Sequence, residues 1–242
     1  MLPRLLPMLA VPATAFDSQE YSFELKWDGI RALAAVETAG WRLWGRERAD
    51  YTAPYPELDV LRRLPAGTLV DGELVAFDAE GQPDLPWLLR RHGLTDPWRI
   101  RQARHWCSVR YVLFDLLYHA GRCLLREPLL RRREVLAETC QRLDAADVRF
   151  SEGVVGQGKA LYAAALAQGH EGVMAKHLAS TYRPGGRSAA WRKIKPRLRG
   201  TCQRREIPTY YYRSFAATKE SSTWRPATVV DRWVAIRLRR ME

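Results

Sequence analysis

Glu24-Leu25-Lys26-Trp27-Asp28-Gly29-Ile30-Arg31 sets a lysine, a carboxylate and an arginine around one glycine, between two strand-like apolar runs. Each residue type suits attack on a phosphate. An amine can lose its proton and become a nucleophile whereas a guanidinium cannot, so Lys26 supplies the attacking nitrogen. Asp28 offers a carboxylate to place that amine or a metal ion, Gly29 a turn with close backbone approach, and Arg31 a planar fork for ribose or phosphate oxygens. Lysine is also scarce in this chain. Six of the 39 basic residues are lysines, and four of them, Lys26, Lys176, Lys193 and Lys195, fall in three short segments.

Downstream, further segments set charged or aromatic groups at the end of an apolar run. Leu69-Val70-Asp71-Gly72-Glu73-Leu74-Val75-Ala76-Phe77 is apolar on both sides of an acidic turn, and Tyr111-Val112-Leu113-Phe114-Asp115-Leu116-Leu117 carries one carboxylate inside an apolar run. Acids in such strands are costly unless paired, liganded or exposed at a cleft. Glu171-Gly172-Val173-Met174-Ala175-Lys176 follows, then Trp191-Arg192-Lys193-Ile194-Lys195. Strand alternation puts Trp191, Lys193 and Lys195 on one face. Two amines there neutralise a polyphosphate and help to lower the pKa of a neighbouring lysine. Taken alone, the pair reads as a solvated strand face.

In order and spacing these segments resemble the motifs of covalent nucleotidyltransferases, and most closely the adenylation domain of ATP-dependent DNA ligases of the bacterial end-joining type. The resemblance covers about residues 5 to 197 and includes Leu6-Pro7-Met8-Leu9-Ala10, Gly45-Arg46 before Tyr55-Pro56-Glu57-Leu58, and Tyr182-Arg183-Pro184-Gly185. It implies that Lys26 attacks the α-phosphate of ATP and holds AMP as a phosphoramidate, passing it to a 5′-phosphate of nicked or broken DNA for strand joining in repair. By the same resemblance Glu24 reads the adenine amino group beside Leu25, Arg31 and Arg46 contact sugar and phosphate, and Glu73 holds the ribose. Phe114 and Met174 sandwich the base, Lys193 and Lys195 neutralise phosphates, and Lys176 is a further phosphate contact. Asp28, Glu73 and Glu171 bind or orient Mg2+, or Mn2+ in its place, an ion suited to sparse carboxylates plus substrate oxygens. RNA ligases and capping guanylyltransferases share the lysine motif, although Glu171-Gly172 and Glu24 favour the adenine-using ligases. A non-catalytic nucleic-acid binder is a further alternative, one that needs neither the amine nor the acids.

A net charge of +12 over 242 residues favours a polyanionic partner. Basic stretches at Arg90-Arg91-His92, Arg99 to Arg104 and Arg131-Arg132-Arg133, interleaved with Trp87, Trp98 and Trp106, fit backbone contact with stacking. The last stretch equally opens a helix whose other face, Leu129, Leu130, Val135 and Leu136, reads as core. Cys107, Cys123, Cys140 and Cys202 lack Cys-x-x-Cys spacing and read as reduced thiols of a cytoplasmic protein, for which the resemblance implies the bacterial cytosol or nucleoid. The first 15 residues faintly imitate a signal peptide, but three prolines interrupt them and the motif resemblance begins inside them, so export is set aside. No run reaches the length of a membrane-spanning helix.

Apolar runs predict strands near 21–27, 31–37, 41–45, 68–78, 109–117, 147–153, 171–177 and 189–195, and helices near 56–64, 128–143 and 158–168. This pattern argues an α+β domain of largely antiparallel sheets flanked by helices. The resemblance adds an active-site cleft between the sheets. Residues 1–197 form the expected adenylation domain, and 198–242 an atypical tail. With 47 residues after Lys195, no complete oligonucleotide-binding barrel is expected. Such a domain would depend for DNA clamping on the tail or on a protein partner. Val229 to Leu238 fits a helix or a strand.

Overall fold

Two sheets organise the computed structural model, which describes residues 1–196. The expected tail, with its Val229–Leu238 segment and Cys202, lies outside them. In chain order come β1 (Leu9–Ala13), β2 (Tyr21–Leu25), β3 (Ile30–Glu37), β4 (Gly40–Trp44), a 3-10 helix (Pro56–Arg63) and β5 (Thr68–Ala76). Helices α1 (Leu85–His92) and α2 (Pro97–Trp106) lead to β6 (Val109–His119), β7 (Arg122–Cys123), α3 (Leu129–Leu143), β8 (Val148–Phe150) and β9 (Gly153–Val155). Helix α4 (Gly158–Ala167), β10 (Val173–His177) and β11 (Arg187–Ile194) complete the described fold. One sheet has the order β1-β11-β10-β2-β9, and the other β4-β3-β5-β6-β7 with β8 beside β6. The β1–β11 and β6–β8 pairs are parallel and the rest antiparallel. The α+β reading holds, with sheets on either side of a cleft.

Strand β3 explains why its sequence is apolar without a break. Ala32, Ala34 and Val36 pack with Leu58, Leu88 and Leu136 on the helix-covered face of the second sheet, while Leu33 and Ala35 pack with Met8, Tyr182 and Trp191 between the sheets. Both faces are buried, so alternation of polar and apolar residues is lost.

Helices α1 and α2 fall where the apolar pattern predicts neither helix nor strand. Each begins at an aspartate cap: Asp84 accepts from the Trp87 N–H at 2.9 Å and Asp96 from the Arg99 N–H at 2.8 Å, with proline in the first turn of both helices. The single strand expected at 147–153 is two short ones in different sheets, separated by buried Ser151. The helix expected near 56–64 is of the tighter 3-10 type.

The arginine runs need the largest correction. Arg91 is fully buried, donating to the Pro54 carbonyl at 3.0 Å and to Glu57 at 2.5 Å. Arg132 forks onto buried Asp115 at 2.7 and 2.9 Å, and Arg133 donates to the Ser151 carbonyl at 2.7 Å. These three are internal ties between elements and present no cationic surface for a nucleic acid. Leu130 is exposed, leaving Leu129, Leu136 and Leu143, seven residues apart, as the buried stripe of α3. Among the described residues Cys107, Cys123 and Cys140 are free, and no helix is long and apolar enough to cross a membrane.

Candidate active site

Strand register assembles one wall of the cleft. Met174 on β10 stands opposite Glu24 on β2 and Lys193 on β11, and Lys176 stands opposite Ser22 and Trp191. Alternation carries the same face onward to Lys26 and Lys195. The Lys26 N–H donates to the Gly172 carbonyl at 2.9 Å, which fixes the chain where β2 ends. Three rows result: an aromatic and buried one at Lys176 and Trp191, a middle one of Glu24, Met174 and Lys193, and a cationic one of Lys26 and Lys195. The facing sheet contributes Arg31, Glu73 and Phe114, with Arg46 just beyond β4, and the two walls enclose a cavity of about 330 Å³. That volume suits a small-molecule site. Glu24, Leu25, Lys26, Arg31, Arg46, Glu73, Phe114, Met174, Lys176, Lys193 and Lys195 all line it, so the cleft brings together every catalytic and nucleotide-contacting residue expected from the sequence.

The cationic row is tied by Glu171, whose carboxylate pairs with both the Lys26 and the Lys195 amines. Burial lowers the Lys26 pKa below the ordinary lysine value, and Arg46 and Arg31 push the same way against Glu73 and Asp28. Burial also lowers Lys195, with Lys26 adding to the effect and Asp28 opposing it. Burial raises Glu73 to about 7 despite nearby Arg31 and Lys26. Asp28, Glu73 and Glu171 therefore all act on the Lys26 amine. Among the described residues, however, no group of three or more His, Cys, Asp or Glu side chains is spaced to hold a metal ion.

Arg31 depends on residues whose part in the site the sequence left unread. Its guanidinium forks onto buried Asp71 at 2.5 and 2.6 Å and lies 4.4 Å from the Phe114 ring centre. The Tyr182 hydroxyl donates to Asp71 at 2.6 Å and accepts from the Met8 N–H at 2.9 Å. Desolvation disfavours the Arg31 charge, but Asp71 outweighs it and holds the guanidinium firmly protonated. Met8, Leu9, Ala10, Trp27, Arg187 and Trp191 also line the cavity. The amino-terminal residues among them, like Tyr182 behind Arg31, lie in segments whose resemblance was legible but whose role was not.

Lys176 takes an inward position. It is fully buried, its amine donates to Glu24 at 2.9 Å and sits 4.0 Å from the Phe114 ring centre and 4.6 Å from that of Trp191. Arg133 pairs with the other Glu24 oxygen at 2.8 Å. Desolvation lowers Lys176 to about 8 against the pull of Glu24. This amine faces the aromatic end of the cavity, at Phe114 and Trp191, rather than the row of Lys26 and Lys195.

The stretch of chain that builds this cleft matches a known domain: the model of the ATP dependent DNA ligase domain covers residues 7–195. The chain belongs to this ligase family. It is 36% identical over 195 residues to the multifunctional non-homologous end joining DNA repair protein LigD of Mycobacterium tuberculosis, covering 79% of this chain and 24% of that protein. It is 37% identical over 181 residues to the DNA ligase of Methanothrix thermoacetophila, covering 72% and 32%. The fold matches a solved structure of mycobacterial DNA ligase D complexed with ATP and MES, with a TM-score of 0.66, 33% identity and coverage of 79% of this chain and 60% of that one. The ligase domain described here thus spans about a quarter to a third of the length of these two relatives.

Proposed function

We propose that this ligase domain uses ATP to form a covalent lysyl-AMP at Lys26 and delivers the AMP to a 5′-phosphate of nicked or broken DNA. The observation that carries this reading is the Lys26 amine: lowered in pKa by burial, set in the cleft and followed in the same row by Lys195, within a domain of the ligase family. Attack by the Lys26 nitrogen forms an N–P bond to the α-phosphorus as the bond from that phosphorus to the bridging oxygen breaks. Pyrophosphate leaves, and two of the three ammonium protons pass to solvent. Burial of Lys26 assists the first of these losses.

Lys193 and Lys195 offset the charge of the triphosphate, and Arg46 approaches it from the opposite wall. Phe114 and Met174 flank the base, with Glu24 accepting from the adenine amino group and Leu25 beside it. Glu73 and Arg31 face the sugar. Asp28, Glu73 and Glu171 are not spaced to hold an ion as a group, so one or two of these carboxylates would hold a divalent ion together with the triphosphate oxygens, which suits Mg2+ or Mn2+, ions that take few protein ligands in such sites. When bound, that ion neutralises phosphate charge as it shifts onto the leaving group. In the second step a DNA 5′-phosphate oxygen attacks the AMP phosphorus, the N–P bond breaks and the Lys26 amine is restored. A 3′-hydroxyl then displaces AMP and seals the strand. The name of the mycobacterial relative places that protein in end-joining DNA repair, and we assign the same setting to this domain.

The acceptor is tested by charging the protein with labelled AMP, removing free ATP, and offering nicked duplexes. Label passing to DNA with a 5′-phosphate, and not to the 5′-hydroxyl form, is the expected result. Transfer to nicked RNA alone would overturn DNA as the acceptor.

A further inference from the structure

Helix α2 carries a basic and aromatic face that the adenylation chemistry leaves unused. Ile100 and Ala103 form its buried stripe, and Cys107 continues that stripe past its end. At 100° per residue the opposite side presents Trp98, Arg101 and His105 close together, with Arg99 and Trp106 to one flank and Arg104 to the other. Trp98 is 62% exposed and Trp106 41%, both unusual for indoles. The helix contains no acidic residue, and Arg99, Arg101 and Arg104 form no ion pair among the described residues. Trp106 is steadied against Trp87 with ring centres 5.1 Å apart. The strand that follows α2 makes contacts toward the cleft. Trp27, next to Lys26, meets Phe77 at 6.3 Å, and Arg110, four residues past the end of α2, stands 5.1 Å from the Phe77 ring.

We propose that this face of α2 binds the single-stranded stretch of DNA flanking a strand break, an assignment that rests on the ligase reading above. Arginines without ion-pair partners suit phosphodiesters, and two exposed indoles suit base faces. A duplex hides those faces, so the aromatic part of the surface favours unpaired bases over paired ones.

Fluorescence anisotropy on the whole protein tests this with two 5′-phosphorylated duplexes, one blunt and one with a single-stranded overhang. Trp98→Ala combined with Arg101→Ala should weaken overhang binding about tenfold and blunt-duplex binding by less than about twofold. Trp98→Phe, which keeps a ring to stack on, should retain most of the overhang affinity. Lysyl-AMP labelling should be the same in all these proteins. Overhang binding unchanged in the double variant, or an equal loss on both duplexes, would overturn the assignment. If no protein takes the AMP label, the ligase reading fails, and the anisotropy still decides the surface.

Discussion

At the residue scale the site rests on one amine whose pKa burial lowers and several charges held in place. Lys26, Lys193, Lys195, Glu73 and Phe114 were legible because lysine is scarce here and because acids and aromatics interrupt apolar runs. Asp71 and Tyr182 were not read as supports of Arg31. Their contact joins positions 111 residues apart, and no local pattern records it. Lys176 was expected at a phosphate and is instead turned to Glu24 and Phe114, a difference set by which strand neighbour shares its row. Its burial makes a pH prediction. In the unfolded chain its amine keeps its proton up to about 10.5, and in the fold only to about 8. Between those values the unfolded state binds more protons, so this residue's contribution to stability rises with pH through that window. Below it, both states are protonated and the cost of burying the charge is present in full. Denaturant unfolding at pH 8 and at pH 10.5 should therefore show wild type gaining on Lys176→Met as pH rises; a constant difference would contradict this environment for the amine.

At the element scale, the ladder β2–β10–β11 converts three separated segments into one wall of the cleft, and Gly172 is a residue it leaves little room to change. Its φ is +145°, and an added Cβ would overlap the Ile194 carbonyl oxygen just before Lys195. Gly172→Ala should shift the end of β11 and lower the rate of lysyl-AMP formation by about a hundredfold while circular dichroism stays native, since displacements of about 1 Å at a reacting centre carry costs of that size. Helix α3 yields a contrast within one arginine run. Arg132→Ala strands the Asp115 carboxylate in the interior and should cost about 3–5 kcal/mol in urea unfolding. Arg131→Ala removes an exposed pair with Glu134 and should cost less than about 1 kcal/mol. Equal effects would contradict the internal role of Arg132. Long strands were legible from their apolar runs. Helices α1 and α2 were not, because each buries only two residues within the helix and the evidence for them lies in the Asp–Pro caps. Strand β1 is five residues with a proline, and it pairs with β11 from across the whole domain; periodicity cannot reveal such a strand.

At the scale of the whole molecule, two sheets close on a cavity whose cationic and aromatic ends match the two halves of a nucleotide, and family membership agrees with that chemistry. The high positive charge divides in two. Arg91, Arg132 and Arg133 hold the interior together, while the face of α2 stays outside and free to meet a polyanion. Composition alone could not separate these uses, because burial of an arginine depends on a carboxylate or carbonyl brought up by a distant segment. The central claim is a covalent nucleotide on Lys26. Its most direct test is incubation of the purified protein with α-labelled ATP and Mg2+ or Mn2+, followed by a denaturing gel with Lys26→Ala alongside. A label that survives denaturation, is absent from Lys26→Ala and is not formed from GTP is the expected result; a label of equal strength in Lys26→Ala, or none with either metal, would overturn the assignment of Lys26.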